Sequence, residues 1–154
     1  MQAIIRPARL EDAEALQRGC YSGTALEDVR DYLAWCLRQG EKGRIVRLVA
    51  EVDGRAVANA QLTVWGERGE IGSLVVAQAF RRRGLARQLV TALIAQGRRR
   101  GLANLEISVR QSQPHILEFY RQMGFETVEA QKNGLSHPAC SEPIVQLWMR
   151  LPGR

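Results

Sequence analysis

No stretch of this 154-residue chain is apolar for long enough to span a bilayer. Its opening, Met1-Gln2-Ala3-Ile4-Ile5-Arg6-Pro7, lacks the long apolar segment of a secretion signal. Cysteine is scarce. Cys20, Cys36 and Cys140 are odd in number and far apart, with no Cys-x-x-Cys pair and no His/Cys ligand spacing. That pattern excludes a disulfide framework, predicts no metal site and fits a reducing, cytoplasmic compartment. The two histidines, His115 and His137, are isolated and are expected on the surface or in loops. There is no internal repeat, low-complexity tract or linker, so residues 1–154 are expected to form one domain. A P-loop, a Gly-x-Gly-x-x-Gly turn, an RNA-binding aromatic motif and a helix-turn-helix signature are all missing.

What is present is an ordinary globular composition, 45% apolar and 25% charged, with a net charge of +6. The excess charge invites a nucleic-acid reading. Much of it, however, lies in two triplets, Arg81-Arg82-Arg83 and Arg98-Arg99-Arg100. The second triplet reads as a solvated face in the last turn of a helix, where cations suit the macrodipole. Periodicity predicts a strand over residues 3–8 and a helix to about Gly19, opened by Glu11-Asp12. A second helix is expected over residues 24–39, with Thr24 as N-cap and Gly40 past its end. Strands over residues 44–52 and 56–65 flank Asp53-Gly54, a hairpin turn signal. A third strand over residues 70–76 follows the turn at residues 66–69, and its run Leu74-Val75-Val76 suits a central strand. Then come a helix over residues 84–100, a strand over 104–109, a helix over 114–123, a strand from Phe125 and a last strand over 144–151. The expected fold class is mixed α/β, a central mixed sheet of six to seven strands flanked by about four helices.

The chemically informative stretch joins the third strand to the next helix. A buried strand turns through Arg81-Arg82-Arg83-Gly84-Leu85-Ala86 into a helix N-terminus. The backbone N–H groups there form an anion site, small residues let a ligand approach, and arginines add charge and bidentate donors. Such a site suits a pyrophosphate. The stretch resembles the acetyl-CoA signature of the GNAT superfamily of N-acetyltransferases, Arg/Gln-x-x-Gly-x-Gly/Ala, matched by Arg81, Gly84 and Ala86. Downstream, Val109, Phe119-Tyr120 and Gly124-Phe125 match the rest of that family's pattern, whereas Gln113 stands where Asn is usual and Ile116 where Ala is usual. Ile5-Arg6-Pro7-Ala8 with Glu11-Asp12-Ala13 is similar to the family's opening, and Leu147-Trp148-Met149-Arg150-Leu151 to its closing strand.

The resemblance implies the GNAT acyl-CoA N-acyltransferase fold over the whole chain. It implies acetyl-CoA as co-substrate, no metal, and an amine as the second substrate. The backbone amides of Arg82, Arg83, Gly84, Leu85, Ala86 and Arg87 would hold the pyrophosphate, with Arg81 beside them. Main-chain groups of Leu74, Val75 and Val76 would pair with the pantetheine arm. Gln113 could hydrogen-bond to CoA, and Tyr120 would protonate the departing thiolate. Tyr120 could instead be a helix-face aromatic packing beside Phe119.

Attack by an amine requires its neutral form, so a proton acceptor is needed. Glu70, six residues upstream of Val76, occupies the place of the glutamate in histone-type members; it could equally be a solvated turn residue, with Glu67 next in line. Gly72 suggests a mid-strand bulge that could present an N–H to the thioester oxygen. Acceptor pockets in the family are built from segments corresponding to residues 20–28 and 132–143, which contain Tyr21, Glu27, Asp28, His137 and Glu142. The basic charge disfavours polyamines and leans toward an acidic or RNA-linked acceptor. No membrane partner is expected, nucleic acid is disfavoured, and a homodimer stays open. A catalytically silent CoA-binding domain and a nucleic-acid-binding module are the alternative readings.

Overall fold

The computed structural model describes residues 2–128 and 143–152. Its elements run β1 (Ile4–Pro7), α1 (Ala13–Cys20), α2 (Leu26–Glu41), β2 (Ile45–Val52), β3 (Arg55–Trp65) and β4 (Arg68–Val76). They continue with α3 (Leu85–Arg99), β5 (Asn104–Arg110), α4 (Pro114–Gln122), β6 (Glu126–Thr127) and β7 (Ile144–Arg150). The strands form one mixed sheet in the order β1-β2-β3-β4-β5-β7-β6. Every neighbouring pair is antiparallel except β4 and β5, which are parallel and joined by α3.

Alternation along the strands assigns each face, and a bulge in the β2–β3 ladder, where Ala50 is opposite Ala58 but Glu51 opposite Ala56, resets its phase. Leu48 and Ala50 of β2, Ala58, Ala60 and Leu62 of β3, and Ile71 of β4 pack with Leu85, Leu89, Val90 and Leu93 of α3. Leu117 and Tyr120 of α4 join the same cluster. On the opposite face, Val49 and Ala56 pack with Ala13 and Leu16 of α1 and with Val29 and Leu33 of α2. The helices thus cover a sheet that could not otherwise bury both faces.

Local chemistry accounts for the connections. Asp53 and Gly54 both take positive φ (50° and 79°), the requirement of a tight hairpin whose twist matches its strands. Arg6 anchors the opening segment: its guanidinium donates to Asp12 Oδ1 at 2.7 Å and Oδ2 at 2.9 Å, and its Nε donates to Glu51 at 2.8 Å. Asp12 Oδ2 also accepts from Arg9 N–H at 2.7 Å and so caps the turn that leads into α1. This is the physical content of the Arg-Pro…Glu-Asp opening.

Three expected boundaries shift. Thr24 is not the N-cap of α2; Ala25 holds that place in an extended conformation. Gly40 lies inside the last turn of α2, and the chain reverses at Gly43 with φ 74°. The β3–β4 turn is confined to Gly66 and Glu67, so β4 starts at Arg68 and Gly69 is a strand residue. A side chain at Gly69 would collide with Leu62 at 2.6 Å and with Leu102 and Leu105 at 2.9 Å, so glycine here is a packing requirement rather than a turn signal.

Candidate active site

The site begins where two parallel strands part. β5 pairs with β4 only at Arg68↔Asn104, Gly69↔Leu105 and Glu70↔Glu106. Beyond Glu70 the β5-facing edge of β4, residues 71–76, has no strand partner among the described residues. A bulge lies just past this fork. Gln61 of β3 is opposite Gly72 while Asn59 is opposite Val75, so β4 carries one extra residue between them. Ser73 absorbs the distortion at φ 53°, a conformation uncommon for a non-glycine residue. The bulge expected at Gly72 is therefore real but displaced by one residue. An edge of unpaired N–H and C=O groups is a template for an added strand.

That edge leads to the start of α3. Arg82 (φ 63°) and Gly84 (φ 81°) turn the chain, and the Gln88 N–H is bonded to the Gly84 carbonyl at 3.1 Å. The N–H groups of Leu85, Ala86 and Arg87, earlier in the first turn, have no acceptor within the helix. Leu85 is buried and pins the turn to the core. A Cβ at Gly84 would meet nothing within 4 Å, so the space above the turn is open. Arg81, Arg82, Arg83 and Arg87 are all exposed around it. The arginines are not equivalent: Arg81 Nε donates to the Val76 carbonyl at 3.1 Å and braces the strand end, and Arg83 lies over the Phe80 ring at 5.5 Å.

Tyr120 of α4 is 5% exposed, wedged edge-on between Phe119 (5.0 Å) and Phe125 (5.7 Å). Burial pushes its phenol up to about 12. The hydroxyl makes no hydrogen bond among the described residues, yet it is not sealed from solvent. Gln113 precedes α4 as its N-cap, half-buried, and its side chain does not cap the helix.

Glu70 sits at the apex of the fork, exposed, with Glu106 beside it across the parallel ladder. The two acids are held differently. Glu106 accepts from Gln146 Nε2 at 2.7 Å and faces Arg68 at 3.6 Å, whereas Glu70 is in no ion pair among the described residues. Glu67 is exposed in the turn, away from the fork, with its carbonyl bonded to Ala103 N–H at 2.6 Å. Cys20 is held un-ionised, its thiol pushed up to about 11 by burial, and Cys36 is raised for the same reason. Among the described residues no group of side chains is arranged to hold a metal ion.

A model of the acetyltransferase (GNAT) family matches residues 10–125. The chain belongs to the GNAT acetyltransferase family. Among the curated relatives of this GNAT chain is a [ribosomal protein bS18]-alanine N-acetyltransferase of Haemophilus ducreyi, 39% identical over 61 residues, which are 40% of this chain and 42% of the relative. The chain spans about half the length of the curated relatives it matches. Two solved structures share the fold. One is the ribosomal-protein-alanine N-acetyltransferase of Brucella melitensis, with a TM-score of 0.79 at 22% identity, covering 96% of this chain and 99% of that one. The other is the PaiA N-acetyltransferase of Thermoplasma acidophilum in complex with coenzyme A, with a TM-score of 0.75 at 15% identity, covering 98% and 100%.

Within this GNAT domain, one polar cluster escaped the sequence reading. Arg47 of β2, Asn59 and Gln61 of β3, Tyr21 after α1 and Tyr32 of α2 meet on the face covered by α1 and α2. Arg47, Asn59 and Gln61 are all buried. The signal was there: Arg47 interrupts Ile45-Val46-Arg47-Leu48-Val49, and Asn59 and Gln61 alternate with alanines in an otherwise apolar strand. Of the acceptor-segment residues named from sequence, Tyr21 and Asp28 line a cavity beside this cluster. His137, Glu142 and Cys140 fall outside the described residues.

Proposed function

We propose that this protein transfers the acetyl group of acetyl-CoA to a primary amine by direct attack. The observation that carries the reading is the continuity of the unpaired β4 edge with the amide-lined, arginine-ringed start of α3. The residues present fit the co-substrate. Open space over Gly84 and amides without helical acceptors suit a pyrophosphate, while the edge at residues 71–76 suits an extended, amide-bearing arm. Residues 82–87 and Arg81 hold the phosphates in this assignment, Leu74, Val75 and Val76 the arm, and Gln113 a polar contact near α4.

Acetyl-CoA supplies an activated acyl group and a thiolate leaving group. Tyr120, its phenol pushed up to about 12 by burial, keeps its proton at neutral pH. With a phenol near 12 against a thiol of about 8.5, its part is a hydrogen bond to the developing sulfur charge rather than a complete downhill proton transfer. Glu70, at the apex and in no ion pair among the described residues, accepts the amine proton directly or through water, and the bulge at Ser73 supports a backbone donor for the acyl oxygen. The acceptor belongs to the broad class of primary amines, of which the protein-terminal alanine named for some relatives is one member. A thiol-release assay with acetyl-CoA over small amines, antibiotics and peptide N-termini tests the assignment. Amine-dependent thiol release is expected, and its absence across all three classes would favour a silent CoA-binding domain.

A further inference from the structure

The buried cluster on the α1/α2 face has more donors than acceptors. The Gln61 side-chain oxygen alone receives Arg47 Nη1 at 2.6 Å, Tyr32 OH at 3.3 Å and the Cys36 thiol at 3.5 Å. The Asn59 oxygen receives Tyr21 OH at 3.0 Å and Arg47 Nη2, which also reaches Tyr21 OH at 3.0 Å. Among the described residues two donors are left over: Arg47 Nε and Asn59 Nδ2 are buried without a partner. Arg47 is only 7% exposed and forms an ion pair with no carboxylate among the described residues. The guanidinium has neutral acceptors in Gln61, Asn59 and Tyr21 and lies over the Tyr32 ring at 5.5 Å, but no negative charge among the described residues offsets its desolvation.

The same arginine lines a cavity of about 180 Å³, together with Tyr21, Thr24, Asp28, Tyr32 and Ser73. Leu16, Val29 and Leu33 give it an apolar back. Ser73 is the bulged residue at the open edge of β4, so the cavity connects the unpaired charge to the place where chemistry is assigned. Arg47 is opposite Gln61, and Gln61 is opposite Gly72. Two strand spacings, roughly 10 Å, therefore separate the Arg47 backbone from the fork. Its side chain closes much of that span.

We propose that Arg47 is a specificity residue of the acceptor site, and that the acceptor is a small amine carrying a carboxylate a few bonds from its nitrogen, of the amino-acid type. A carboxylate brings the missing negative charge, and a charge-assisted hydrogen bond from a guanidinium to a carboxylate is among the strong ones. The apolar back of the cavity leaves room for a short side chain. Asp28 also lines the cavity and is in no ion pair with Arg47 among the described residues. This inference rests on the acetyltransferase reading above.

The test compares thiol release with free L-amino acids, their carboxamides, and short peptides beginning with the same residues. A free amino acid is expected to exceed its carboxamide in kcat/KM by about tenfold to a hundredfold, the range for a hydrogen-bonded charge. Arg47→Gln is expected to bring that ratio close to one while leaving the acetyl-CoA-induced thermal shift in place. Carboxamides or peptides that match the free acids, no acetylation of any amino acid, or a ratio unchanged in Arg47→Gln would each overturn the inference. If Arg47→Gln does not fold, the acid-to-amide ratio of the unaltered protein decides by itself. Failure of acetyl-CoA to shift the melting temperature of the unaltered protein would instead strike the acetyltransferase reading underneath.

Discussion

At the scale of single residues, Tyr120 and Glu70 carry separable predictions. Tyr120 is buried and its hydroxyl makes no hydrogen bond among the described residues, so Tyr120→Phe removes a donor and keeps the packing with Phe119 and Phe125. Turnover should fall on the order of 10²-fold with little change in acetyl-CoA affinity. Unchanged turnover where chemistry limits the rate would reduce Tyr120 to a packing residue. Because its folded pKa of about 12 lies above the reference of about 10, the proton is retained below pH 10 and lost only as pH climbs toward 12. Tyr120 should therefore put no descending limb on the pH–rate profile below pH 10. For Glu70→Gln the expectation runs the other way along the pH axis. Turnover should drop most at neutral pH and least at high pH, where more of the amine is already neutral. A variant with the wild-type profile would return the base to Glu67 or to water.

At the scale of elements, the decisive feature is the turn from β4 into α3. Gly84 at φ 81° is needed for its conformation, since a side chain there would meet no protein atom within 4 Å. A bulky β-branched replacement such as Gly84→Val would combine backbone strain with any effect on the ligand. Gly84→Ala is the cleaner probe. It should cost about 1–2 kcal/mol for the left-handed conformation, and its methyl group would project into the space over the helix start. The acetyl-CoA-induced thermal shift should shrink sharply in this variant, measured against the variant's own lowered baseline. A full shift in Gly84→Ala would place the phosphates elsewhere. Near the same turn, Arg81 spends its Nε on the Val76 carbonyl, so the arginine triplet divides between bracing the loop and offering charge.

At the scale of the whole molecule, the described strands form one sheet that opens where β4 and β5 part. The β4–β5 ladder is three residues long, and the two strands are held at its base by close contact around Gly69. A ligand that lies along the open edge of β4 and reaches α3 ties separate elements together and stabilises the fold by mass action. At a hundredfold excess over its Kd, acetyl-CoA should add about 2.7 kcal/mol, which for a chain of this size raises Tm by roughly 5–10 °C. No shift at millimolar acetyl-CoA would remove the co-substrate assignment.

Much of this was readable from the sequence, for local reasons. Strand and helix order followed from periodicity, the β2–β3 hairpin from Asp53-Gly54, and the anion-binding turn from Arg81 to Ala86, because each depends on neighbours within a few residues. Tyr120 and Glu70 stood out through their spacing from those motifs. Other features needed the folded chain. Whether Gly69 belongs to a turn or a strand depends on Leu62, Leu102 and Leu105 closing around it from other elements. The fork past Glu70 exists only because β4 bulges against β3 while β5 follows its own partner, β7. Arg47, Asn59, Gln61, Tyr21 and Tyr32 are scattered over forty residues of sequence, and only the pairing of β2 with β3 under two helices turns them into one buried, donor-rich site. Local propensity fixes which residues are helix or strand, but the balance of buried charge is a property of long-range neighbours, and it is decided only when the sheet closes.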